Sequence, residues 1–354
     1  MSKASRSGSL TGGGRVTGGQ KASRSDSLRG SGRVTGGQKA SRGDSSGGYR
    51  VTGTGGRSAE ERIRAVFADA GCTGWLHARR CDDSAAEISI GGRERVVVAS
   101  VYKLPLFVAF CRCVDAGRID PTARLTVTPS DCTPGPTGIA VMRDPVTMSL
   151  RDLATSMMTV SDNAAADVLL GATGLGAVEE LLDQLGLTQT RIVGGTADLH
   201  RSLVRDTDTH TTAEAFAILA ENDDAWSVSA YDPSYTSATT PEEMTRFLRA
   251  LWSGSVLSAE QTEFVRGVMR CQVWPHRIAA AFPHRSVSVA GKTGTIGVIR
   301  NEVAVVEFPG EYPVAVAVFT RAARSDPHLP VVDAAIAETA RIAVTELRRP
   351  LPEE

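Results

Sequence analysis

Lysine is nearly missing from the main body of this chain: after residue 57 it occurs only at Lys103 and Lys292. Long apolar runs are missing as well. No stretch approaches the roughly 18 residues needed to cross a membrane as a helix, so no membrane span is expected. The first residues lack the apolar segment of an export signal, which points to a cytoplasmic protein, or a secreted one if the start codon is misassigned. The six histidines (His77, His200, His210, His276, His284, His328) form no His-x-x-x-His pair and no Cys/His cluster, so no metal is expected. Six cysteines (Cys72, Cys81, Cys111, Cys113, Cys132, Cys271) contain no Cys-x-x-Cys, which favours free thiols over a single disulfide. No glycine fingerprint stands between a strand and a helix, and no cofactor is expected.

Charge is short in one sign at each end. Residues 1–57 hold eleven of the 39 Lys and Arg residues but two of the 40 Asp and Glu residues, leaving the rest of the chain acidic. An acidic body argues against a nucleic-acid enzyme and leaves no nucleic-acid partner expected. The basic tail is an internal repeat: Lys3-Ala4-Ser5-Arg6 returns at Lys21 and again at Lys39, a period of 18, and each unit runs on into Arg-Val-Thr-Gly. Gly, Ser and Arg offer little to bury, so the tail over 1–57 reads as a disordered, low-complexity arm. Gly43-Asp44-Ser45-Ser46-Gly47 matches a nucleophile elbow, but lacks the strand and helix that an elbow needs, and is read as chance.

Order begins near Ser58, where a cap-like serine precedes apolar residues at helical spacing over 58–70. Short strands are predicted at Trp75–Ala78, Ala86–Ile90 and Arg95–Ala99, then a helix over Val101–Ala116. A helical middle follows at Ser149–Met158, Asn163–Leu170, Ala177–Leu185, Thr212–Glu221, Pro241–Leu251 and Ser258–Met269. Strands return at Ser286–Ala290, Glu302–Phe308 and Val314–Thr320, and a last helix spans Val331–Arg348. The expected fold class is α+β: an antiparallel sheet built from both chain ends with flanking helices, plus an all-helical subdomain over about 101–285 of a 58–354 domain.

A chain that uses arginine almost everywhere should keep lysine where arginine cannot serve, because an ammonium can lose its proton on burial and a guanidinium cannot. Lys103 ends Ser100-Val101-Tyr102-Lys103, the only Ser-x-x-Lys present. On a helix, positions i and i+3 share a face, so the amine can reach the hydroxyl and activate it as a nucleophile. Lys292 opens Lys292-Thr293-Gly294-Thr295, directly after a predicted strand, where lysine and hydroxyl suit a substrate carboxylate. Between them stands Ser161-Asp162-Asn163.

Ser-x-x-Lys, Ser-Asp-Asn and Lys-Thr-Gly in this order resemble the signature of class A β-lactamases and penicillin-binding proteins, over about residues 58–349. The resemblance implies the β-lactamase/transpeptidase fold and a small-molecule acyl substrate; a monomer is expected. It implies that Ser100 is the acylated nucleophile, Lys103 its proton acceptor and Ser161 the proton shuttle to the leaving nitrogen. It gives Asn163 the substrate amide, Lys292 and Thr293 the carboxylate, and the N–H groups of Ser100 and Thr295 the oxyanion hole. Arg300 falls near an accessory carboxylate-binding arginine of the family, with a plain strand arginine as the alternative.

The sequence departs from the family at one place. Class A enzymes hydrolyse the acyl-enzyme with a glutamate in an Ω-loop Glu-x-x-Leu-Asn. Here Thr196-Ala197-Asp198-Leu199-His200 puts Thr196 at the glutamate and His200 at the asparagine, followed by an insertion before Thr239-Thr240-Pro241. Asp198, His200, Glu221, Asp223 and Asp224 are the candidates for a substitute base. The expected function is a β-lactamase-like serine hydrolase working through an acyl-enzyme. The alternatives are an esterase or peptidase on another acyl substrate, a penicillin-binding sensor that stays acylated, and a structural or nucleic-acid-binding protein acting through its tail.

Overall fold

A computed structural model describes residues 57–348, apart from 83, 222–227 and 327; the repeated tail lies outside the described residues. Ser58 caps α1 (Ala59–Asp69): its hydroxyl accepts from the Glu61 N–H, and the Glu61 carboxylate accepts from the Ser58 N–H at 2.8 Å. Two donors that a helix start leaves open are thereby satisfied. Then come β1 (Cys72–Arg80), β2 (Glu87–Ile90) and a short β3 (Val96–Val97), followed by one 3-10 turn, Ala99–Tyr102, that runs into α2 (Lys103–Asp115). Past β4 (Arg124–Val127) and β5 (Val146–Ser149) lie α3 (Leu150–Thr159), α4 (Asn163–Thr173), α5 (Leu175–Gln184), α6 (Thr196–Asp206) and α7 (Thr212–Glu221). The chain returns through β6 (Ala238–Thr239), α8 (Pro241–Ser253) and α9 (Ala259–Arg270) to β7 (Ser288–Ile296), β8 (Ile299–Glu307), β9 (Val314–Ala322) and α10 (Pro330–Leu347).

The main sheet is antiparallel in the order β2-β1-β9-β8-β7, so strands from both ends of the chain do meet, with β1 paired to β9 from Cys72↔Ala322 to Arg80↔Val314. Alternate residues face opposite layers. Val303, Val305, Ala315, Ala317 and Phe319 pack toward the helical middle with Phe107, Phe110 and Leu248. Ala304, Val306, Val314, Val316 and Val318 pack with Ile63 and Phe67 of α1 and with Ile336, Ala340 and Val344 of α10. A strand buried on both faces needs no polar alternation, which accounts for the unbroken apolar run Val314–Phe319. Each such side chain contributes about 1.5–3 kcal/mol when fully buried. Among the described residues no helix is long and apolar enough to cross a membrane, and the six cysteines are unpaired.

Three expectations need correction. The strand predicted at Arg95–Ala99 is only Val96–Val97, pairs with β6 outside the main sheet, and gives way to the 3-10 turn at Ala99. The strand predicted to stop at Ala290 continues to Ile296, so Lys292-Thr293-Gly294-Thr295 lies inside β7, not after it; glycines at 291 and 294 disguised the continuation. The segment Thr196–His200, placed in the Ω-loop, opens the helix α6, which runs on to Asp206.

Candidate active site

The backbone before Ser100 is held in an unusual shape. Ala99 has φ +46°, a left-handed conformation that costs a non-glycine residue of order 1–3 kcal/mol. Two neighbours impose it. Asn301 of β8, fully buried, donates from Nδ2 to Val97 O at 2.8 Å and Val98 O at 3.3 Å. Gly294 of β7 lies so close that a Cβ there would meet Val98 O at 2.6 Å, which explains the glycine of the Lys-Thr-Gly triplet. Ser100 is thereby presented, half-buried, to a cavity of about 520 Å³ that it shares with Tyr102, Asn163, Thr196, His200, Thr295 and Arg300.

The two lysines converge on one hydroxyl. A 3-10 turn has three residues per turn, so Lys103 follows Ser100 on the same edge of the chain. Lys103 Nζ donates to Ser161 O at 2.8 Å and Asn163 Oδ1 at 2.9 Å, and lies 3.4 Å from Ser161 Oγ. Lys292 Nζ donates to the same Ser161 Oγ at 3.0 Å and to Thr293 O at 2.8 Å. Among the described residues no hydrogen bond joins Ser100 Oγ to Lys103. Both lysines are fully buried. Burial lowers the Lys103 pKa to about 7 against the opposing pull of the Asp162 and Asp167 carboxylates. Burial and then the Lys103 charge hold Lys292 well below its ordinary value. Near neutral pH an amine in this state has a neutral fraction with two N–H donors, matched by Ser161 O and Asn163 Oδ1, and a lone pair left for a third partner.

Ser161 owes its position to its neighbour. Asp162, fully buried, caps α4 by accepting from the Ala165 N–H at 3.1 Å, and also accepts from the Ile139 N–H at 2.7 Å and the Ser156 hydroxyl at 2.8 Å. This ties three segments together and forces Ser161 to φ +60°. Asn163 is fixed at both ends, by Lys103 and by its Nδ2 bond to Pro134 O at 2.8 Å.

Sequence reasoning missed two residues here. Arg277, buried, donates to Gly294 O at 3.1 Å, Asn301 O at 2.7 Å and Thr295 Oγ1 at 2.8 Å, with its Nε on Asp333 at 2.6 Å. It places a fixed positive charge behind the Thr295 hydroxyl. Glu302, also buried, accepts from the Ile278 N–H at 2.6 Å and Gln272 at 2.9 Å; burial raises its pKa to about 7. Gln272 in turn accepts from the Thr293 N–H at 2.6 Å. Nothing in the sequence separates Arg277 from the many other arginines. Arg300 lines the cavity, but its guanidinium is directed to backbone carbonyls of Gly297, Ile299 and Asp326.

The wall facing Ser100 is α6. Asp167 of α4 accepts from the Thr196 N–H at 2.7 Å, the Ala197 N–H at 2.9 Å and the Thr133 hydroxyl at 2.5 Å, capping α6 from another element. Tyr102 OH and Thr196 Oγ1 are 2.9 Å apart and tie this wall to the turn that carries Ser100. Of the candidate bases, Asp198 is exposed and bonded to the Gly195 N–H and to Arg201. Glu221 is exposed at the end of α7, and Asp223 and Asp224 lie outside the described residues. His200 lines the cavity.

Residues 58–347 match the β-lactamase enzyme family. The β-lactamase regulatory protein BlaB of Streptomyces cacaoi is 28% identical over 302 residues, which span 81% of this chain and 96% of that protein. The carbapenem-hydrolysing β-lactamase KPC of Klebsiella oxytoca is 32% identical over 208 residues, 56% of this chain and 59% of that one. Among solved structures, a β-lactamase from Sphaerobacter thermophilus superposes with TM-score 0.64 at 24% identity, covering 81% of this chain and 98% of its own. A mutant of PBP-A in an acyl-enzyme complex with penicillin G superposes with TM-score 0.64 at 21% identity, covering 81% and 95%.

Proposed function

This chain belongs to the β-lactamase enzyme family, and from that premise we propose that it opens β-lactam amides by forming an acyl-enzyme on Ser100. The observation that carries this reading is the convergence of two buried lysines on Ser161 Oγ beside the cavity that Ser100 lines. Neutral Lys103 takes the Ser100 proton, and Oγ attacks the lactam carbonyl carbon. The N–H groups of Ser100 and Thr295 hold the oxyanion, the usual large electrostatic contribution in acyl transfer. As the C–N bond breaks, Ser161 gives its proton to the lactam nitrogen and takes one from the Lys103 ammonium 3.4 Å away, with Lys292 positioned to lower the cost of that transfer. Asn163 accepts the substrate amide, and Lys292, Thr293 and Thr295 take the carboxylate, with Arg277 raising the positive potential behind them.

A second reading has its own support. Thr196 stands where the resemblance puts the hydrolytic glutamate, and one relative is described as a regulatory protein. On that reading the same acylation ends in a stable adduct that signals. The test is a chromogenic cephalosporin assay with intact-mass measurement on the same samples. Continued turnover with little adduct supports the hydrolase. A single burst and a lasting adduct on Ser100 moves the protein to the sensor class. The absence of both colour and adduct leaves the fold standing, counts against the β-lactam reading and moves the search to esters and peptides.

A further inference from the structure

Thr196 and His200 are one turn apart on α6, so they share a face, and both line the cavity that holds Ser100. The face is fixed in place by Asp167 at the helix start and by the Tyr102–Thr196 hydrogen bond two residues from Ser100. The His200 ring packs edge-on against Phe216 of α7, with centroids 6.1 Å apart. Its Nδ1 is buried and has no hydrogen-bond partner among the described residues. A side chain needed only to fill that space would be apolar, since an unpaired buried polar nitrogen costs about 1–3 kcal/mol. Unpaired buried groups that persist call for a functional explanation.

We infer that His200 is the general base that hydrolyses the acyl-enzyme, standing in for the missing glutamate. The inference rests on the proposed acylation of Ser100. A water held between the Thr196 hydroxyl and the His200 imidazole gives a proton to the ring as its oxygen bonds to the ester carbonyl carbon. The tetrahedral intermediate collapses, the carbonyl–Oγ bond breaks, and Ser100 Oγ recovers a proton from the imidazolium. The product leaves as an acid that ionises to its carboxylate and a solvent proton.

The surroundings suit this role. Burial lowers the His200 pKa from 6.5, as does the Lys103 charge, so the ring is neutral at pH 7 and able to accept a proton. Asp167 of α4 pulls the other way and stabilises the imidazolium once formed. Phe216 brings no charge to the ring, Asp198 and Arg201 on its own helix bond to each other, and Arg300 and Asp326 line the same cavity.

The experiment follows acylation and deacylation separately by quenched intact mass, using a chromogenic cephalosporin with the wild-type chain, His200→Ala and His200→Gln. In His200→Ala the Ser100 adduct should form within about threefold of the wild-type rate and disappear at least about 100-fold more slowly. The wild-type deacylation rate should fall at acid pH with a midpoint below 6.5, and that limb should be missing from the variant. Deacylation of the variant at the wild-type rate, or a wild-type rate flat across that pH range, overturns the inference and leaves acylation of Ser100 standing. A wild-type adduct that never clears does the same. If the wild-type chain gains no adduct on Ser100, the proposed function fails and this inference fails with it. Should His200→Ala lose acylation through misfolding, His200→Gln decides by the same two rates.

Discussion

The two walls of the cavity are built in different ways. On the side of Ser100, nearly every polar atom is held by several others: Lys103 and Lys292 by Ser161, Ser161 by the α4 cap at Asp162, and the Ala99 turn by Asn301 and Gly294. On the opposite wall α6 is held at its ends and back, by the Asp167 and Asp198 caps at its start, by Asp206 on Ser229 at its finish and by the buried Leu203. Toward the cavity it has one tyrosine–threonine hydrogen bond and a histidine whose Nδ1 has no partner among the described residues. On the proposed mechanism the first wall assembles acylation. The second carries the sequence's departure from the family pattern, Thr196 and His200 in place of the Ω-loop glutamate and asparagine.

The sharpest way to break this comparison is Ser100→Ala. If acylation belongs wholly to the first wall, covalent labelling vanishes and turnover falls by at least about 10⁴-fold. Undiminished labelling at another residue would remove Ser100 from the mechanism. Lys103→Met should slow acylation by roughly 10²–10⁴-fold, the usual contribution of a positioned base. In the wild type the acylation rate should drop as pH falls through about 7, where Lys103 gains its proton. The same pKa predicts a stability effect. The folded value of about 7 lies below the unfolded value of 10.5, so between them the unfolded chain binds more protons and wild-type stability rises with pH. The advantage of Lys103→Met over wild type in urea unfolding should therefore shrink from pH 7 to pH 9, by of order 2 kcal/mol. An advantage independent of pH would show that Lys103 keeps an ordinary pKa.

Asp167→Ala probes chiefly the second wall, although it also removes one of the charges that oppose the lowered Lys103 pKa. It leaves the Thr196 and Ala197 N–H groups and the Thr133 hydroxyl without their acceptor, a loss of about 1–3 kcal/mol in urea unfolding. With α6 loosened, deacylation should slow about tenfold while acylation stays within a few-fold. Equal slowing of both steps would show that the walls are not separable.

This division also governs what could be read from the sequence. As candidates, Ser100, Lys103, Ser161, Asn163 and Lys292 are legible from their motifs, the scarcity of lysine marks two of them, and the fold brings Lys103, Ser161, Asn163 and Lys292 into contact. The strands at both chain ends are legible from their apolar runs. Helix α6 is not, because its inward face shows only Leu199 and Leu203 at helical spacing, it follows Gly194-Gly195, and its strongest cap is Asp167, thirty residues earlier. Arg277 is invisible for a different reason: its role is set by three partners on β7 and β8 that only the folded sheet brings to it.

Arg300 gives the smallest and most discriminating test. The resemblance places it near an accessory carboxylate-binding arginine, with a plain strand arginine as the alternative, and its Nη atoms meet Gly297 O, Ile299 O at 3.0 Å and Asp326 O at 2.6 Å. These bonds hold the β7–β8 turn and the segment after β9 at the cavity rim. Burial, and then the Arg277 charge, lower its pKa to about 10, so it remains charged at neutral pH. Its effect on substrate should therefore be indirect. Arg300→Ala should lower stability by about 1–2 kcal/mol, the cost of orphaned carbonyls, and raise KM only about threefold with kcat nearly unchanged. Arg277→Ala, which removes the charge behind Thr295, should raise KM more. A KM increase above about 30-fold in Arg300→Ala, with an unchanged urea midpoint, would instead make Arg300 the carboxylate ligand and return Arg277 to a purely structural part.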